Sequence, residues 1–221
     1  MPGHPGVLLD IDGTLLDTTY LHGIAWQRAF RSRGHDVTAA TVHRAIGLGD
    51  DQLVPHVLGD VGDDVVTDVA DAHGEEYAAL RAEVRALPGA PELIHRAARD
   101  RRVVLATSGK AADLDWMLET IGARDDLAGS TTSDDVERTK PAPDVLGEAA
   151  RLHELDTARS VTVGDSVWDG RSAGEAGITF VGLRCGGFST AELTDAGAVA
   201  VYDDPADLLA HYDDSPLALG G

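Results

Sequence analysis

Short apolar runs alternate along this chain with segments whose apolar positions recur at helical spacing, except over one long stretch where only the helical spacing occurs. Val7 to Ile11 is apolar and bounded by Gly6 and Gly13, which predicts a parallel strand buried on both faces. Thr18 or Thr19 then suits a helix cap, and Ala25, Trp26, Ala29 and Phe30 carry the helix until Gly34 stops it. From there to Arg85 the pattern stays helical, through Ile46, Leu53, Val57 and Leu58, then Val65, Val69, Ala72, Tyr77 and Leu80. Leu87-Pro88-Gly89-Ala90-Pro91 ends this block and primes a new helix. Beyond it the spacing predicts a helix to 99, a strand over 102–107 and helices over 113–121 and 143–153. A strand over 160–164, a helix over 168–176, strands over 178–181 and 198–201, and a last helix over 205–211 follow. The alternation predicts an α/β protein: a doubly wound parallel core sheet from 1–16 and 87–221, with 17–86 inserted as a helical domain. No internal repeat is visible, and only the ends read as disordered.

Composition narrows the setting. A length of 221 residues suits one sizeable core plus a small accessory domain. No apolar run is long enough for a membrane span and no secretory leader is evident, so a cytoplasmic location is expected. The single cysteine, Cys185, excludes an intramolecular disulfide and argues against a Cys-based zinc site. A formal net charge of −20 disfavours nucleic acids and anionic membrane surfaces as partners. It also opposes anionic substrates, so an anion-binding site here needs local positive charge from a divalent cation and from Lys110 and Lys140, the only lysines.

The candidate chemistry lies at strand ends. In a doubly wound sheet, sites form beyond the carboxyl ends of the strands. The polar residues ending three of the predicted strands are Asp10 with Asp12, Thr107 with Ser108, and Asp165. Aspartates this close repel unless a cation lies between them or one holds a proton. A carboxylate trio around Mg²⁺ is chemically sensible, because Mg²⁺ prefers hard oxygen ligands and keeps room for water and a phosphate oxygen. Taken singly, each residue also suits a structural role: Asp12 in an Asx turn, Thr107 as a strand-end hydroxyl, Lys140 solvated before a proline-rich turn, Asp169 in a first helical turn. His73 and Cys185 likewise read as ordinary structural residues.

Four stretches in order resemble the motifs of the haloacid dehalogenase superfamily: Asp10-Ile11-Asp12-Gly13-Thr14; Thr107 after Val103-Val104-Leu105-Ala106; Lys140 in Lys140-Pro141-Ala142-Pro143-Asp144; and Gly164-Asp165-Ser166-Val167-Trp168-Asp169-Gly170. The resemblance implies a phosphatase in which Asp10 attacks phosphorus to form an aspartyl-phosphate. Asp12 would serve as acid and then base, with a pKa raised by its carboxylate neighbours. It further implies that Thr107 binds a phosphoryl oxygen, that Lys140 neutralises charge on the nucleophile and the transferring group, and that backbone N–H groups near Asp12, Gly13 and Ser108 assist. Mg²⁺ would be held by Asp10, the Asp12 carbonyl and Asp165, with Asp169 supporting from behind. The insert resembles the helical cap of members acting on small phosphorylated metabolites. Asp17-Thr18 with His22 and Trp26 is similar to the phosphoglycolate phosphatase-like and beta-phosphoglucomutase-like branch, in which His22 would meet Asp12 and Arg44 a substrate anion. No nucleic acid or membrane partner is implied, and the oligomeric state stays open.

Other branches fit less well. Hydrolytic dehalogenases of this superfamily lack the equivalent of Asp12, and its phosphonate hydrolases need a cap lysine that this insert does not have. The sugar-phosphate mutase alternative draws on Lys110, which matches a lysine that such mutases use. Against it, Asp50 and Asp51 stand after Ile46-Gly47-Leu48-Gly49, where mutases carry a phosphate-binding arginine. A non-catalytic binding protein on the same fold is a further alternative, opposed by the presence of both Asp10 and Asp12. The expectation is therefore net hydrolysis, with phosphoglycolate and sugar phosphates as candidate substrates.

Overall fold

Every strand in the sheet is parallel, because each is reached through helical crossovers that return the chain to the same end of the sheet. The computed structural model describes residues 3–219; of the ends expected to be disordered, residues 1, 2, 220 and 221 lie outside the described residues. The sheet runs β3 (Gly129–Thr131), β2 (Arg102–Ala106), β1 (Gly6–Leu9), β4 (Val161–Gly164), β5 (Thr179–Leu183) and β6 (Ala198–Tyr202). Strand order reverses at β1, so a crevice opens where β1 and β4 separate towards their following helices. The register pairs Leu9 with both Leu105 and Val163, which brings Asp10, Thr107 and Asp165 to the same end of the sheet.

Helices α5 (Ala90–Ala97), α6 (Ala111–Ile121) and α10 (Pro205–Ala210) cover one face of the sheet through Leu93, Ile94, Met117, Leu118 and Leu208. Helices α7 (Asp144–Leu152), α8 (Val167–Ala176) and α9 (Thr190–Asp195) cover the other through Val145, Leu146, Ala149, Ala173 and Leu193. Between β1 and α5 the chain forms α1 (Thr19–Ser32), α2 (Ala39–Ala45), α3 (Asp50–Leu58) and α4 (Asp63–Ala78), with no strand, as the helical spacing predicts. These helices share a cluster built on Trp26, Phe30, Val42, Leu53, Val54 and Val69, to which Trp168 at the start of α8 is joined. Burying each of the large side chains contributes about 1.5–3 kcal/mol, so the helical block holds together largely through its own core. Among the described residues, no helix is long and apolar enough to cross a membrane.

Two elements escape the sequence pattern. Strand β3 is Gly-Ser-Thr, with no apolar run to announce it, and α9 spans only six residues. Both form because neighbouring elements define the place: β3 extends the ladder on Val104 to Ala106, and Ser189 and Glu192 cap α9 reciprocally.

One buried cation is structural. Arg101 is 8% exposed and has no carboxylate partner among the described residues; it donates instead to the carbonyls of Gly6, Arg159, Pro216, Leu217 and Ala218. It thus ties the C-terminal segment to the start of β1. Arg101→Ala leaves these carbonyls unpaired and should lower stability by about 2–4 kcal/mol, read as a fall in denaturation midpoint with no change in slope.

Candidate active site

The loop after β1 places the first two aspartates on opposite sides of a tight turn. Gly13 adopts φ +77, a left-handed conformation that glycine enters without strain. A Cβ there would also collide with the Thr19 hydroxyl and the Asp165 carboxylate. The turn therefore brings the chain as close to Asp165 as a backbone can come. Ile11 accepts backbone N–H bonds from Thr14, Leu15 and Leu16, and Gly13 N–H bonds to Leu16, which locks the loop.

Asp10 leaves the turn into a buried cluster with Asp165 and Asp169, whose carboxylate oxygens lie within 4.8 Å of one another. Asp165 follows β4, and Asp169 sits in the first turn of α8, where its carboxylate accepts from the Ser166 N–H and hydroxyl. Lys140 reaches between them, with Nζ 2.5 Å from Asp10 Oδ1 and 2.7 Å from Asp169 Oδ1. Asp165 accepts only long bonds within this group, from the Thr14 hydroxyl at 3.2 Å and the Thr19 hydroxyl at 3.4 Å.

One ammonium against three buried carboxylates leaves an excess of negative charge, and the titration behaviour reflects it. Burial, with Asp169 and Asp10 nearby, pushes Asp165 well above the usual carboxylate range. Burial also pushes Asp10 up to about 7, against the pull of Lys140. Lys140 shows the reverse: burial would lower it, but Asp10 and Asp169 hold it above the ordinary lysine value. Hard oxygen donors, close spacing and uncompensated charge together fit a small divalent cation such as Mg²⁺.

Asp12 points the other way. Its Oδ1 accepts from the Thr18 hydroxyl at 2.8 Å and meets His22 Nε2 at 3.2 Å, and its carboxylate is not part of the Asp10–Asp165–Asp169 group. Burial acts to raise its pKa, but the His22 charge and hydrogen bonds from His22 and Thr18 outweigh that and bring it below the usual value. This corrects the expectation of a raised Asp12: the hydrogen-bonding partners decide the sign, and the neighbouring carboxylates do not.

His22 in turn meets His73 Nε2 through Nδ1 at 3.1 Å and stacks on Tyr77 with ring centroids 3.9 Å apart. His73 stacks on Trp26, also at 3.9 Å. Burial holds His73 well below its ordinary pKa, so it is a neutral ring with a single N–H. From sequence Tyr77 reads as an apolar helical position and His73 as an ordinary structural residue; both line the cavity with Asp10 and Asp12. Their helical spacing offered no other signal, and only the contact between α1 and α4 reveals them.

Among the remaining candidates, Thr107, Ser108 and Lys110 line that same cavity. Thr107 Oγ1 accepts from Gly109 N–H at 3.0 Å, while the buried Ser108 hydroxyl has no hydrogen-bond partner among the described residues. Lys110 Nζ lies 3.3 Å from Asp50 Oδ2. Arg44 is a correction: it pairs with Glu192 and lies over the Phe188 ring at 5.0 Å, in a separate groove beside Trp168 and Arg171. The register of α2 turns it outwards, so it does not face the cavity. From sequence Thr14 and Thr18 stand in the motif stretches without a chemical role of their own, and Thr18 or Thr19 as a cap candidate; the structure makes all three hydrogen-bond partners of Asp165 or Asp12.

The model of the haloacid dehalogenase-like hydrolases matches residues 7–183, from β1 through β5 and including all four inserted helices. The chain belongs to this family. This hydrolase is 32% identical over 181 residues to validoxylamine A 7′-phosphate phosphatase of Streptomyces hygroscopicus subsp. limoneus, covering 80% of the chain and 84% of that protein. A solved hydrolase from Pseudomonas syringae is 31% identical with a TM-score of 0.89, over 95% of this chain and 98% of that one. A mutant of CbbY from Rhodobacter sphaeroides, solved with xylulose-(1,5)bisphosphate, is 27% identical with a TM-score of 0.77, over 98% of this chain and 100% of that one.

Proposed function

We propose that this hydrolase is a Mg²⁺-dependent phosphatase that cleaves a small phosphorylated metabolite through an aspartyl-phosphate on Asp10. Residues 17–86 act as its cap over a core of 1–16 and 87–221. The observation that carries the reading is the buried Asp10–Lys140–Asp169 chain beside Asp165, of which Asp10 lines a cavity shared with Trp26, Leu53 and Tyr77 of the inserted helices.

In the first step an Asp10 carboxylate oxygen attacks phosphorus in line, and the bond from phosphorus to the ester oxygen breaks. The departing alkoxide takes a proton from Asp12, which must first gain that proton as substrate enters. In the second step Asp12 deprotonates a water that attacks the same phosphorus, the bond to Asp10 breaks, and inorganic phosphate and an alcohol have been formed from ester and water. His22 and Thr18 hold the Asp12 carboxylate facing the leaving group. Lys140 offsets charge on Asp10 and on the transferring group, while Thr107, the free Ser108 hydroxyl and nearby backbone N–H groups bind phosphoryl oxygens. Mg²⁺, held by Asp10, the Asp12 carbonyl and Asp165 with Asp169 behind, would supply charge stabilisation at the phosphoryl oxygens.

Chelation should therefore abolish phosphate release, and Mg²⁺ should restore it. The same ion should raise the thermal midpoint, since a ligand at a hundred times its Kd stabilises by about 2.7 kcal/mol. Calorimetry with and without Mg²⁺, beside a phosphate-release assay over a panel of phosphorylated metabolites, tests both. Activity that persists in excess chelator would remove the metal from the mechanism. The mutase reading is weakened by Asp50, which already occupies the charge of Lys110.

A further inference from the structure

The half of the cavity lining supplied by α3, α4, α6 and the residues just before α6 carries a balance of charge. Two cations reach it, Lys110 and Arg81, and each is matched by a carboxylate that also lines the cavity. Lys110 pairs with Asp50 at the start of α3, and Arg81 pairs with Asp113 in the first turn of α6. Both pairs cross from the inserted helices to the sheet domain, so they are in place whenever these two parts meet as observed. His73 adds no charge, being buried and neutral.

Tyr77 completes the arrangement. The residue is 3% exposed, it lines the cavity, and its hydroxyl has no hydrogen-bond partner among the described residues. Burial raises its pKa, so the phenol stays protonated and keeps a proton to donate. An unpaired buried hydroxyl costs about 1–3 kcal/mol, a penalty that a ligand hydroxyl or ether oxygen at that place would relieve. Trp26 and Met117 are apolar residues lining the same cavity.

We infer that this half of the cavity selects an uncharged, hydroxyl-bearing leaving group, such as a polyol or sugar carrying a single phosphate, with Asp50 as the residue that excludes a second anion. A second phosphate or a carboxylate would have to displace Asp50 from Lys110 and sit beside an uncompensated carboxylate, which is costly in a partly desolvated site. A neutral polyol can accept from Tyr77 and donate to Asp50 without breaking either ion pair. The inference rests on the phosphatase reading and names its substrate class.

The test compares wild type with Asp50→Asn and Tyr77→Phe on three probes: glycerol 1-phosphate and glucose 6-phosphate as neutral leaving groups, and phosphoglycolate as the anionic one. Wild type should favour the neutral pair in kcat/KM. Asp50→Asn keeps the side-chain shape and frees Lys110, so its preference should move towards phosphoglycolate by at least about tenfold, an opposite-charge effect that a mere loss of packing would not produce. Tyr77→Phe should lower kcat/KM on the neutral probes alone. Calorimetric binding of the same probes to Asp10→Asn and to the Asp10→Asn, Asp50→Asn double variant reads the selectivity without turnover. If no probe is hydrolysed yet binding still ranks neutral above anionic and reverses on Asp50→Asn, the phosphatase reading fails and the selectivity stands. Equal losses on all probes, or a wild type that prefers phosphoglycolate, would overturn the role given to Asp50.

Discussion

Asp10→Asn should abolish phosphate release, with kcat falling by roughly a thousandfold or more, while the protein keeps its fold. The amide cannot attack phosphorus, so the loss lies in the chemical step and not in binding. The fold persists because the substitution removes one of three buried carboxylates that repel one another, and Lys140 keeps Asp169 as partner. Steady-state kinetics alongside a thermal melt checks both halves. A variant that retains a large share of wild-type turnover would show that the nucleophile lies elsewhere.

Lys140→Met has a different signature, because it harms stability as well as rate. Lys140 is 1% exposed and, among the described residues, is the one ammonium within bonding distance of Asp10 and Asp169. Removing it strands buried carboxylates without a counter-charge, and breaking a buried pair from one side costs about 3–5 kcal/mol. For a chain of this size that lowers the melting temperature by roughly 10 °C. Adding Asp169→Asn should recover part of the stability but none of the activity, since it removes a stranded charge without replacing the cation. Turnover should fall about a hundredfold or more, as expected when a group that offsets transition-state charge is lost. A melt unchanged by Lys140→Met would contradict the electrostatic account of the cluster.

The sheet was legible because β1, β2, β4 and β5 are short apolar runs between turn residues, a pattern that buried parallel strands require. Strand β3 was not, since Gly-Ser-Thr is a strand only by virtue of its neighbour β2. The inserted helices were visible as an uninterrupted helical spacing, while the consequence of their packing was hidden. His73 and Tyr77 sit at apolar-face positions of α4, yet the α1–α4 contact turns them to His22 and the cavity. Arg44 failed for the converse reason: its neighbours Ile46 and Gly47 do line the cavity, but the helix turns the guanidinium to Glu192.

The placement of Asp10, Asp12 and Asp165 followed from strand ends, which the sequence marks directly. The protonation of Asp12 did not follow, because its sign depends on His22 and Thr18, whose contact is created by the Gly13 turn. Likewise, nothing local links Lys140 to Asp169; their approach at 2.7 Å depends on where α7 and α8 lie against the sheet. Ion pairs such as Asp50–Lys110 are three-dimensional facts of the same kind, and they bear most directly on substrate choice.

The stereochemical course at phosphorus tests the central claim most directly. Hydrolysis of an isotopically chiral phosphorothioate monoester in labelled water distinguishes two in-line displacements from one. Passage through an aspartyl-phosphate on Asp10 predicts retention of configuration, together with loss of all turnover in Asp10→Asn. Inversion would mean that water attacks phosphorus directly, and it would contradict the covalent mechanism.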